Sequence, residues 1–211
     1  MSSADPGRLD DARLEGERVR LRPVTPADAN AAFALIHERE AILRWLIWPG
    51  PQEPVELERY YADWRGATGD DFNFAIEDLE SGALAGTCGV RGVALPASAD
   101  LGYWLGEPFW GRGFATETIE LLTWLAFEHL DARVSTACVF VGNDASRRAL
   151  EKNGYELDHT STCEVRARPQ PQWHLGLSRR VWRAARERGA IPEPAASHVV
   201  RASSPAPEDP R

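Results

Sequence analysis

Two hydrophobic periods take turns along this chain, one of two residues and one of about 3.6. Val19-Arg20-Leu21-Arg22-Pro23-Val24 alternates apolar and polar side chains, the mark of a half-buried strand. Thr25-Pro26-Ala27-Asp28 then reads as a helix start: Thr25 can cap, Pro26 is preorganised for the first helical position, and Asp28 complements the helix dipole. This helix is expected to run to about Arg44 and a second to cover Pro54 to Trp64, with residues 45–51 connecting them. Three strands follow, at Phe72 to Glu77, Ala83 to Val93 and Leu101 to Leu105. The turn at Ser81-Gly82 predicts antiparallel pairing of the first two.

From Phe114 to Leu130 the period lengthens. Glu117, Glu120 and Glu128 fall on one helical face, with Ala115, Thr118, Ile119, Leu122 and Ala126 on the other. Val134 to Val141 reads as a buried strand and Asp144 to Asn153 as a short helix closed by Gly154. Tyr155 to Val165 and Trp173 to Leu177 are the last two strands. Hairpins mixed with crossovers predict an α+β, or mixed α/β, class. Residues 1–14 lack periodicity and read as a flexible N-terminal arm. Residues 189–211, rich in Pro, Ala and Ser, have too little apolar surface to offset their ordering entropy and read as a disordered tail. The expected domain is therefore 15–188.

At 211 residues the chain is long enough for one domain with a sizeable core, and 43% hydrophobic with 27% charged residues is a globular composition. The net charge of −8 argues against a nucleic-acid partner, whose phosphates are bound by clustered Lys and Arg, and suits a cationic partner better. Cys88, Cys138 and Cys163 lie singly in strands, without zinc or disulfide spacing, and are expected to be buried, reduced thiols. His37, His129, His159, His174 and His198 have no metal spacing either. With no apolar leader and no bilayer-length apolar run, a cytoplasmic protein without a membrane partner is expected.

The candidate chemistry sits at Trp110-Gly111-Arg112-Gly113-Phe114-Ala115-Thr116, a strand-to-helix junction. Its two glycines permit a tight turn with exposed backbone amides, and the helix dipole behind them favours a phosphate or pyrophosphate. The junction carries neither the Gly-Lys-Ser/Thr of a P-loop nor the GxGxxG of a dinucleotide fold. An ordinary glycine turn is the plain alternative.

Residues 101–155, from LGYWLGEPFWGRGFATETIELL to NDASRRALEKNGY, resemble the core of the GCN5-related N-acetyltransferase (GNAT) superfamily. Within it they are similar to the ribosomal-protein-alanine acetyltransferase branch. LRPVTPADA and FNFAIEDLESGALAGTCGV fit the same branch, so the likeness spans roughly residues 15–183. It implies a mostly antiparallel sheet that splays between its fourth and fifth strands, helices on both faces, and acetyl-CoA as cosubstrate. The backbone amides of Gly111, Arg112, Gly113, Phe114 and Ala115 would hold the CoA pyrophosphate, while Trp104 and Leu105 would pair their backbone with the pantetheine arm. Asn143, otherwise an N-cap, would also touch the pantetheine. Relatives often carry a Tyr acid where this chain has Leu150, which leaves Ser146 as the candidate donor to the leaving thiolate.

A substrate amine is mostly protonated at neutral pH and must lose a proton before it attacks. Asp100, where relatives often have an acidic residue, is the candidate base, with Glu77 the weaker alternative; the plain reading of Asp100 is a solvated strand-end carboxylate. The expected acceptor is a primary amine, either a protein N-terminus or a small amino compound, used by a monomer or homodimer. Transfer of succinyl or longer acyl groups, and a non-catalytic CoA-binding or interaction role on the same fold, are the alternatives.

Overall fold

A computed structural model describes residues 13–62, 71–94 and 96–189. Eight strands form one sheet: β1 (Leu14–Glu15), β2 (Val19–Pro23), β3 (Asp71–Asp78), β4 (Leu84–Ala94), β5 (Ser98–Leu105), β6 (Val134–Phe140), β7 (Glu156–Val165) and β8 (Arg168–Ser178). Their spatial order is β1-β2-β3-β4-β5-β6-β8-β7, and every neighbouring pair is antiparallel except β5 with β6. That parallel pair needs a crossover, which the chain supplies through α4 (Phe114–Trp124) and a π-helical turn at Leu125–His129. The remaining helices are α1 (Ala29–Ile36), α2 (Glu40–Leu43), α3 (Pro54–Ala62), α5 (Asp144–Lys152) and α6 (Arg179–Glu187).

Strand alternation sorts side chains between two layers. Leu101 and Leu105 of β5 and Ala137 and Val139 of β6 are buried with Ile119, Leu122, Leu125 and Leu150 in the main core, under α4 and α5. On the opposite face, Ala29, Ala32, Leu57 and Tyr61 from α1 and α3 cover Ala75 and Leu84 of β3 and β4. Beyond that cover, the opposite face exposes Gly102 of β5 and Cys138 of β6.

Several expectations change. The first helix does not reach Arg44 in one piece. Glu38 adopts φ 55°, a left-handed conformation that ends α1, and the chain restarts as α2 so that Ile42 and Leu43 can pack with Ile36. Leu14, placed in the loose arm, is fully buried and pairs with Leu21. Glu117, assigned to the polar helical face, is buried. Its carboxylate accepts the backbone amide of Arg18 at 2.7 Å and that of Val19 at 3.2 Å, and pairs with the Arg18 guanidinium at 3.3 Å. A partner 99 residues away cannot register in local periodicity.

Only Cys88 of the three cysteines is buried; Cys163 is half-buried and Cys138 exposed, because the latter points to the open face. The expected end of the second helix at Trp64 and the tail from residue 190 lie outside the described residues. Among the described residues no helix is long and apolar enough to cross a membrane.

Candidate active site

The site begins where the parallel pair comes apart. β5 and β6 are in register from Ser98↔Val134 to Leu101↔Ala137. β5 then runs on to Leu105 and β6 to Phe140 without a shared pair, so a wedge opens between residues 102–105 and 138–140. Strand backbone facing such a wedge is left without a ladder partner and is free to pair with an extended ligand.

At the wide end of the wedge lies the glycine loop. Gly111 (φ 73°) and Gly113 (φ 84°) are both left-handed, and Gly113 is the N-cap residue of α4. The first-turn amides of a helix have no intrahelical acceptor, and a Cβ at Gly111 would meet nothing within 4 Å. The loop is thus an open cradle of amides at a positive helix end, which fits a pyrophosphate. Arg112 contributes mainly through its backbone. Its guanidinium is drawn aside to the buried carboxylate of Asp78 (3.2 Å) and to Glu80 (3.5 Å), and lies 4.5 Å above the Phe114 ring. These contacts brace the loop. Trp110 does the same from its other end, its indole N–H donating to the Leu105 carbonyl at 2.8 Å, so that carbonyl is already engaged.

Across the wedge, Asn143 caps α5 by accepting the Ser146 amide at 3.3 Å. The Ser146 hydroxyl receives a hydrogen bond from the Tyr103 phenol at 3.0 Å. Burial pushes the Tyr103 phenol above its ordinary pKa, against the pull of the bond to Ser146, so it stays protonated and acts as donor. Because the Ser146 oxygen accepts from Tyr103, its own proton is free to point elsewhere. Leu150, one turn on, is buried in the core.

The other mouth of the wedge is polar. Gly102 is exposed, and a Cβ there would meet nothing within 4 Å. Asp100 lies two residues earlier on the same face and accepts the Thr136 hydroxyl at 3.0 Å. Burial pushes its carboxyl above the ordinary value, while Thr136, Arg91 and His174 pull it back. Cys138 Sγ lies 3.1 Å from His174 Nδ1, and His174 Nε2 lies 2.7 Å from the Ser161 hydroxyl. Glu77 is elsewhere and committed, paired with Arg20 at 2.7 Å and Arg22 at 2.8 Å. Among the described residues no group of three or more His, Cys, Asp or Glu could hold a metal ion.

A family model described as an Acetyltransferase (GNAT) domain matches residues 18–156. The chain belongs to the GNAT acetyltransferase family. It is an acyl-CoA-dependent acetyltransferase. It is 28% identical over 145 residues to the Bacillus subtilis protein "Putative ribosomal N-acetyltransferase YdaF", covering 66% of this chain and 78% of that one. To the Bacillus subtilis "Uncharacterized N-acetyltransferase YoaA" it is 30% identical over 151 residues, 69% of this chain and 83% of that one. Among solved structures it superposes on Mycobacterium smegmatis RimJ in complex with CoA-disulfide with a TM-score of 0.74 at 19% identity, covering 86% and 96% of the two chains. A GCN5-related N-acetyltransferase from Brucella melitensis gives 0.73 at 23% identity, covering 91% and 92%. At those identities the two structures speak to the GNAT fold.

Against that family frame, the chain brings Gly111, Gly113, Phe114, Ala115, Asn143 and Ser146 to the side of the wedge carrying α4 and α5. Asp100 lies on the other side. Tyr103 and His174 were not selected from the sequence. Alternation along LGYWL signals only that Tyr103 faces the core. The bond to Ser146 spans 43 positions, and the His174–Cys138 contact arises from strand pairing.

Proposed function

We propose that this enzyme moves an acetyl group from acetyl-CoA to a primary amine by direct attack, with a protein or peptide N-terminus the favoured acceptor. The observation that carries the reading is the wedge between β5 and β6. One mouth has the amide cradle and Ser146, and the other has the exposed Gly102 floor with Asp100 beside it. Two reactants can therefore meet from opposite faces of one sheet. Holding them in line supplies on the order of 7 to 11 kcal/mol of barrier reduction without a covalent enzyme intermediate.

When bound, the CoA thioester supplies the activated carbonyl. The amides of Gly111, Arg112, Gly113, Phe114 and Ala115 bind its pyrophosphate. Trp104, Leu105 and Asn143 line the path of the pantetheine, Leu105 through its N–H since its carbonyl is engaged. The Ser146 hydroxyl donates a hydrogen bond to the departing sulfur, which leaves as a thiolate and takes its proton from solvent. Asp100, through a water molecule, accepts the proton that the amine sheds. The net charge of −8 favours a cationic acceptor over a phosphorylated one. The name of YdaF, a putative ribosomal N-acetyltransferase, favours a protein acceptor over a free amino compound.

Mass spectrometry of acetyl-, propionyl- and succinyl-CoA incubated with N-terminal peptides, polyamines and amino acids tests the reading. Acetylated primary amines are expected. Acylation confined to alcohols or thiols would end the amine proposal.

A further inference from the structure

The hairpin joining β7 to β8 turns through Arg166 and Ala167, with Val165 paired to Arg168. Both turn residues are left-handed, at φ 52° and 57°. A two-residue turn of this kind favours Asn and Gly, because a Cβ is disfavoured at positive φ. The chain instead places a long cation there. The Arg166 Nη2 lies 2.9 Å from the carbonyl of Leu43, 3.1 Å from that of Leu46 and 2.7 Å from that of Trp48. Those carbonyls belong to the end of α2 and the irregular segment after it; the Leu43 carbonyl also accepts the Leu46 amide at 3.1 Å, so Arg166 adds a second donor there and binds the Leu46 and Trp48 carbonyls beyond it. Strain in a turn and a three-way tie on its side chain mark a position chosen for its contact rather than its backbone.

The tied segment reaches the wedge from two directions. The Trp45 ring extends to the turn after β6, where a Cβ added at Gly142 would lie 3.5 Å from its Cη2, one residue before Asn143. Leu46 and Trp48 pack with Trp104 of β5 around Ile36, Ile42 and Leu43. Following contacts from β5 through Trp104 to the segment, through Arg166 to the β7–β8 hairpin, and back across β8 and β6 traces a closed ring. Inside it lie the polar mouth of the wedge, Gly102, Cys138 and His174. Without the Arg166 tie the ring is open on the hairpin side.

We infer that Arg166 is a specificity-determining residue: it clasps residues 43–48 to the β7–β8 hairpin and fixes the width of the opening through which the acceptor reaches the wedge. A closed ring admits a slender chain end carrying a primary amine and rejects one flanked by bulk. This rests on the amine reading above, and it adds which amines pass. Arg166 acts by positioning the rim, so its loss should alter selection among acceptors while leaving the CoA side intact.

Arg166→Gly is the test variant, because glycine suits the left-handed turn and removes the tie without adding strain. The probes are two tetrapeptides with free N-termini, identical except for Ala or Trp at the first position. For the wild type, kcat/KM should favour the Ala peptide. In Arg166→Gly that preference should fall about tenfold, the change appearing in the KM of the Trp peptide, with the Kd for acetyl-CoA within about twofold of wild type. Backbone hydrogen exchange at residues 43–48 should accelerate. Arg166→Lys should restore part of the preference, since all three carbonyls converge on one nitrogen and an ammonium carries three donors. Unchanged exchange at 43–48 would overturn the clasp, and so would an unchanged Ala-to-Trp ratio in an active, folded Arg166→Gly enzyme. A wild-type enzyme that acylates neither peptide would instead bring down the peptide N-terminus as acceptor, and the clasp's role in selection with it.

Discussion

Replacing Tyr103 by Phe removes one oxygen and leaves an aromatic ring packed against the core, so it isolates the bond to Ser146 at 3.0 Å. For stability the loss is one neutral hydrogen bond, about 1 kcal/mol, which for a domain of this size lowers Tm by about 2 to 4 °C. Catalysis is affected through Ser146. If the Ser146 hydroxyl donates to the departing sulfur, Ser146→Ala should cost on the order of a hundredfold in turnover, as loss of a preorganised donor to developing charge does elsewhere. A neighbouring donor strengthens such a bond by roughly 10 to 30%. Applied to a contribution of about 2.7 kcal/mol, that is about 0.3 to 0.8 kcal/mol, or a loss of about 1.6- to fourfold in Tyr103→Phe. The assay is single-turnover thiol release under saturating acetyl-CoA, run on wild type, each single variant and the double variant, with CoA affinity measured by calorimetry. The phenol's effect should vanish in the Ser146→Ala background. Equal losses from Tyr103→Phe in both backgrounds would show that the phenol does not act through Ser146, and an unchanged turnover in Ser146→Ala would remove the serine from the mechanism.

Gly113→Glu should abolish CoA binding, because it sets a carboxylate in the cradle; as φ is 84° there, Gly113→Ala serves as the control for strain, and undiminished calorimetric binding by a folded Glu variant would place the cofactor elsewhere. Asp100→Asn should lower kcat/KM and remove an acid limb that in wild type lies above the ordinary carboxylate value of 3.8, since burial raises this pKa; a limb that persists in the variant would clear Asp100 of the base role. The same raised pKa means that the folded state holds the Asp100 proton more tightly than the unfolded chain does. Its contribution to stability is therefore full below 3.8 and lost as pH rises through the folded value, and chemical denaturation of wild type and Asp100→Asn across that range should differ accordingly. Deleting residues 190–211 should leave Tm and activity nearly unchanged, and a large loss of either would show that the segment docks.

Local chemistry made much of this protein legible from its sequence. The period-two runs at 19–24 and 72–77, the Ser81-Gly82 turn and the glycine pair before Phe114 each depend on residues within a few positions of one another, and the structure places strands, a hairpin and a helix N-terminus there. The glycine cradle was readable for the same reason, since a left-handed turn and unpaired first-turn amides are properties of a short segment. Other features depended on which distant segments meet. Periodicity made Glu117 a solvent residue, yet β2 brings the Arg18 and Val19 amides to it. Cys138 read as core because its strand is apolar, and only the absence of cover over Gly102 leaves it exposed. The wedge itself is set by the register at which β5 and β6 cease to pair, and the Tyr103–Ser146 bond and the Arg166 tie cross 43 and 118 to 123 positions. A single sequence carries the propensity of each segment but not the free energy of bringing two of them together, and that encounter decides where a buried charge, an open floor or a bridging hydrogen bond will stand.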